Sequence, residues 1–146
     1  MENGIRKLGQ SKQLRNQLLT TSFCGLEWSN MTEQTAFNIV KNHLLTQMTK
    51  SMEENEFGDT QCLYRGPNGT KCAIGALITD EEYKKIEDAR CKYLGVYEVE
   101  DLQIVSLQGL TMNFLGELQI IHDQFEVTNW KNQLEVFAKK YNLQYE

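Results

Sequence analysis

Apolar positions recur at helical spacing in three separate stretches of the chain. Phe37, Val40, Leu44 and Met48 form one stripe. Phe114, Leu118, Ile121 and Phe125 form a second, and Trp130, Leu134, Phe137 and Tyr141 a third. Thr32 stands where a hydroxyl can accept from the free amides of a first turn, and Glu33 complements the helix dipole there, so the first helix is expected from Thr32 to about Lys50. Thr79-Asp80-Glu81-Glu82 has capping-box spacing and predicts a short helix over about 80–88. A helix resumes near Thr111. Thr128 is expected to cap the last one, with Asn142 as a left-handed stop.

Between these stripes the pattern changes. Ser51 to Asp59 is polar and acidic and reads as a surface loop. Two short strand-like runs, Cys62 to Arg65 and Lys71 to Ile74, flank Gly66-Pro67-Asn68-Gly69, which predicts a β-hairpin turning at those four residues. Cys91 to Gln108 mixes aromatics with acids and suits a loop with a strand fragment or a helical turn. Residues 1–30 have weak periodicity, with Ile5, Leu8, Leu14 and Leu18 hinting at a helix that Gly4 and Gly9 oppose, and read as an appended arm. The expected architecture is α+β and mostly α: three to four packed helices with a small β-hairpin, in one globular domain over 31–146.

At 146 residues, 40% hydrophobic and 24% charged, the chain is long enough to bury a core without staples. No apolar run approaches the roughly 20 residues of a membrane span, and the N-terminal stretch lacks the form of a secretory signal. Reduced thiols in a cytoplasmic setting are therefore the expected state of Cys24, Cys62, Cys72 and Cys91. A net charge of −5 disfavours extended nucleic acid as a partner, which needs a dense field of Lys and Arg. A local cationic pocket is still compatible with it, and so is a homo-oligomer.

Gln61 to Tyr83 concentrates the candidate chemistry. Gly66 and Gly69 could expose backbone N–H groups to an anion, with Arg65 offering a planar fork and Lys71 a mobile charge. The blander reading is a tight turn with two exposed cations. His122, beside Asp123, stands at the edge of an apolar face and could serve as acid, base or ligand, though a partly buried, hydrogen-bonded histidine is more common there. His43 carries less weight. Cys62 and Cys72 would face each other across the expected hairpin, and His122 with Cys91 or Cys24 could complete a metal tetrahedron. The Cys-x9-Cys spacing does not match familiar zinc modules, so no metal and no cofactor is assigned. Cys72 with His122 is the one pair suited to nucleophilic catalysis, and no catalytic residue is assigned.

The motif Tyr64-Arg65-Gly66-Pro67-x-Gly69-x-Lys71-Cys72-Ala73-Ile74-Gly75-x-Leu77-Ile78-x-Asp80-x-x-Tyr83, with Leu118-x-x-Ile121-His122-Asp123 downstream, resembles a largely uncharacterised set of small proteins encoded in tailed-phage and bacterial genomes. The similarity spans Thr32 to about Leu143. Thr79 stands where such proteins usually have Pro. The resemblance implies a cytoplasmic accessory protein, in the host cytoplasm if phage-encoded. By analogy with small phage proteins that counter host defence, it suggests sequestration of a nucleotide signal.

Together these features lead to an expected function: capture, without turnover, of a small anionic nucleotide-like ligand by Tyr64, Arg65, Gly66, Asn68, Gly69, Lys71, Tyr83, His122 and Asp123, with Tyr64 or Tyr83 stacking on a base. The alternatives are a hydrolase or lyase acting on such a nucleotide through His122, Asp123 or Cys72, and a protein-binding inhibitor of a host factor.

Overall fold

The computed structural model describes residues 31–88 and 102–146, and within them the protein is an α+β fold dominated by helix. The helices are α1 (Glu33–Gln47), α2 (Asp80–Asp88), α3 (Met112–Gln124) and α4 (Trp130–Lys140). One antiparallel ladder joins β1 (Met52–Glu54) to β2 (Thr60–Cys62). The arm expected at 1–30 and the segment 89–101 lie outside the described residues.

Local chemistry sets the helix starts. Thr32 accepts the Thr35 amide at 3.1 Å, and Thr111 accepts that of Phe114 at 3.1 Å. At α2 the capping box closes in both directions: Glu82 takes the Thr79 amide at 2.9 Å and Thr79 takes the Glu82 amide at 3.1 Å. α1 stops at Gln47 because Met48 turns left-handed at φ 49°, a little before the expected Lys50. Asn142 is left-handed at φ 56°, as its position after α4 predicts. Thr128 is not the cap of α4. It lies inside a 3-10 turn, Val127–Asn129, that runs directly into the helix, so no side-chain cap is needed there.

The hairpin is real but lies earlier in the chain than expected. Met52 pairs with Cys62, Glu53 with Gln61 and Glu54 with Thr60, so the stretch read as a loop supplies one strand and the tip. Asn55 builds that tip, its side chain accepting the amides of Phe57 at 2.8 Å and Asp59 at 3.0 Å. The Gly66-Pro67-Asn68-Gly69 stretch instead closes on itself, with Gly66 N–H donating to Thr70 C=O at 2.8 Å and Thr70 N–H to Pro67 C=O at 3.1 Å. Lys71 then spends its backbone on the Gln47 side chain, and Gly75–Leu77 winds into a 3-10 turn, so no second strand forms at 71–74.

The core lies between α1, α3 and α4. Phe37 stacks on Phe137 with ring centroids 5.8 Å apart, while Phe114 meets Phe137 edge-on at 5.2 Å. Ile74, Leu77, Ile86, Ile104 and Leu107 bring the irregular segments into the same cluster. The C-terminal tail is fastened across α1: Gln34 pairs with both backbone groups of Gln144, at 2.9 and 3.0 Å, and Lys41 reaches the Glu146 carbonyl. Among the described residues no helix is long and apolar enough to cross a membrane.

Candidate functional site

The residues named from sequence divide into three groups in space. Arg65 is a structural clamp. Its guanidinium donates to Gly75 C=O at 2.6 Å, Ile78 C=O at 3.1 Å and the Asp80 carboxylate at 3.1 Å, and lies 5.2 Å from the centre of the Tyr83 ring. Only 17% of the side chain is exposed. A planar fork is what reaches two carbonyls and an acid from one position. Tyr64 is in the core at 5% exposure, which leaves its ring no room to stack on a base. Gly66 serves close packing, since a Cβ there would meet Ser51 Oγ at 2.4 Å and Thr70 Oγ1 at 2.6 Å.

A second group borders a depression of about 690 Å³. One wall is the end of α1 and its exit, with Asn42, His43, Thr46, Gln47 and Thr49. The other is Asn68, Gly69 and Thr70. Gln47 holds the walls together, accepting the Lys71 amide at 2.9 Å and donating to its carbonyl at 2.9 Å. His43 Nε2 meets the same carbonyl at 3.1 Å and therefore donates to it. Burial keeps His43 below its ordinary pKa, the bond to Lys71 opposes that, and the nearby Lys71 charge adds to the lowering, so the ring is neutral at physiological pH. The lining is amide and hydroxyl, with Lys71 the adjacent cation.

Nothing in the local pattern marks Asn42, Thr46, Gln47 and Thr49 as lining residues. Their spacing alone is that of any solvated helix face. What distinguishes them is the docking of Lys71 across Gln47, a contact between residues 24 apart in the chain.

The third group is centred on His122, which is fully buried and stacked on Trp130 at 5.6 Å. Its Nε2 faces the Ser51 N–H at 2.9 Å and accepts from it, which puts the ring proton on Nδ1. That proton is donated to Asp123 Oδ1 at 2.6 Å. Gln119 ties in the surroundings, its Nε2 donating to Asp123 Oδ1 at 2.9 Å and to Cys62 Sγ at 2.9 Å, while its Oε1 accepts the Ile74 amide at 3.1 Å. Cys62, rather than the Cys72 expected from sequence, has its sulfur 4.0 Å from His122 Nδ1. The Cys62 thiol is pushed far up in pKa by neighbouring Cys72, then by burial, then by Asp123. Both ring nitrogens of His122 are therefore engaged, Nε2 by the Ser51 amide and Nδ1 by Asp123.

The chain matches no family model, no curated protein and no solved structure with which it was compared.

Proposed function

We propose that the protein captures a small nucleotide-like ligand in the depression between the end of α1 and the 68–70 turn, and returns it unchanged. What supports this reading is the lining: amides and hydroxyls suited to a base or sugar edge, with Lys71 beside them for a phosphate. A volume of about 690 Å³ is of the size that small-molecule sites have. Asn68, Gly69 and Lys71 carry over from the sequence-based site. Arg65, Tyr64 and Gly66 act on the fold, and His122 and Asp123 belong to a separate buried network. Sequestration without turnover accords with a phage-type accessory role against a host nucleotide signal.

The test is calorimetry against a panel of mono-, di-, tri- and cyclic nucleotides, followed by mass analysis of the recovered ligand. Thr46→Arg fills the depression and is expected to abolish binding, and Lys71→Gln to weaken it about tenfold, the equivalent of one charge-assisted contact of ~1.4 kcal/mol. Undiminished affinity in Thr46→Arg would place the ligand elsewhere, and a change in ligand mass would make the protein an enzyme.

A further inference from the structure

We propose that His43 Nδ1 is the acceptor by which the depression selects its ligand, so that a bound nucleotide presents a hydroxyl or amino hydrogen to it. This rests on the capture reading above and narrows it from any small nucleotide to those with a donor at that place.

The Lys71 carbonyl fixes the ring. It receives N–H groups from His43 Nε2 at 3.1 Å and from Gln47 Nε2 at 2.9 Å, which together use both of its lone pairs. Gln47 Oε1 accepts the Lys71 amide at 2.9 Å as well, so residue 71 is held on both sides and cannot turn away from the ring. A carbonyl only accepts. The proton of a neutral His43 is therefore on Nε2, and Nδ1 keeps a bare lone pair.

His43 is half-buried in the α1 wall of the depression, facing the wall formed by the 68–70 turn. With Nε2 committed to Lys71, Nδ1 is the ring nitrogen left for a ligand. The amide of Asn42 and the hydroxyls of Thr46 and Thr49 can each turn to donate or to accept, and so they suit many partners. The locked imidazole accepts and does nothing else. A site that offers a fixed acceptor favours a ligand with a matching donor and disfavours its analogue without one.

Protonation would reverse the sense of the site, because Nδ1–H would then meet the ligand's own donor. Burial opposes that charge most strongly, while the bond to the Lys71 carbonyl favours it. The titratable groups acting on the ring are Lys71, packed against the end of α1, and His122 on α3, and both oppose its charge. Nδ1 consequently accepts at neutral pH and stops accepting on acidification.

The probes are adenosine mono-, di- and triphosphate, each compared with its 2′-deoxy, 3′-deoxy and inosine counterparts, which remove one donor apiece. Calorimetry uses the full-length chain between about pH 8 and pH 5. One counterpart is expected to bind about tenfold more weakly than its parent, and the parent's affinity should fall as acid protonates the ring. His43→Gln keeps an N–H for the Lys71 carbonyl but has no atom in place of Nδ1. It should lose about tenfold in affinity for the parent, bind parent and counterpart equally, and lack the fall that the wild type shows in acid. Nitrogen-15 shifts of the His43 ring decide the matter without a variant: Nε2 should be protonated and Nδ1 bare, with Nδ1 shifting when the nucleotide is added. Binding that strengthens in acid, equal binding of all three counterparts, or a proton on Nδ1 at neutral pH would overturn this proposal and leave capture standing. Failure of every probe to bind would remove the capture reading and this proposal with it.

Discussion

Arg65 and Asp80 form an ion pair of unequal partners. The Asp80 side chain is 89% exposed, so water screens its end, whereas the Arg65 fork also serves the carbonyls of Gly75 and Ile78. Asp80→Asn should therefore change stability by less than about 1 kcal/mol. Arg65→Lys, which keeps the charge but not the fork, should lose about 1.5–3 kcal/mol, as bonds to charged groups do. Urea titration of both variants checks the contrast. His122 is the other residue on which much of its neighbourhood depends. His122→Phe retains an aromatic ring against Trp130 but leaves the buried Ser51 amide without its acceptor. The expected loss is about 1–3 kcal/mol, the cost of a buried unsatisfied donor. Chemical denaturation measures it, and no loss would mean that water replaces the ring nitrogen.

At the scale of elements, α2 depends on its first turn. Burial works against the Glu82 carboxylate, but hydrogen bonds from Thr79 and Ser106 outweigh it and hold the pKa below the ordinary value. A carboxyl with a depressed folded-state pKa contributes stability that is present above the unfolded value, about 4.3, and is lost as pH falls through the folded one. Glu82→Gln should thus be less stable than the wild type at neutral pH, by about 1 kcal/mol, and the gap should close on acidification. Thermal melts from neutrality down into the acid range test this. Such caps are legible in sequence because Thr32, Thr79 and Thr111 act within three residues of themselves. The hairpin is less legible: Met52, Glu53 and Glu54 carry no apolar alternation, while the Pro-Asn-Gly run imitates a hairpin turn. What cancels that run is Gln47 capturing Lys71 and Arg65 capturing Gly75 and Ile78, partnerships that no local pattern encodes. The same long reach hides the depression, whose walls are far apart in the chain, whereas the buried alternative for His122 could be read from its place beside an apolar stripe.

For the described part of the molecule, stability is concentrated where α1, α3 and α4 meet. Phe137 touches Phe37, Phe114 and Tyr141 and is 4% exposed. Phe137→Ala should cost about 3–5 kcal/mol, a large share of the 5–15 kcal/mol that domains usually have. A lowered urea midpoint would show it. The hairpin stands outside this centre, with both faces of its two strands largely in solvent. Its amides should exchange with deuterium at least a hundredfold faster than those of α1 and α3, because an isolated two-stranded ladder is only marginally stable. Equal protection would mean that the hairpin opens only with the whole fold.

That projecting ladder has a practical use. Phe57, at 80% exposure, and the residues around it contribute nothing to the interior. A short epitope or a dye-bearing peptide spliced between Gly58 and Asp59 should leave folding intact, giving a handle for immobilising the protein with its α1 depression undisturbed.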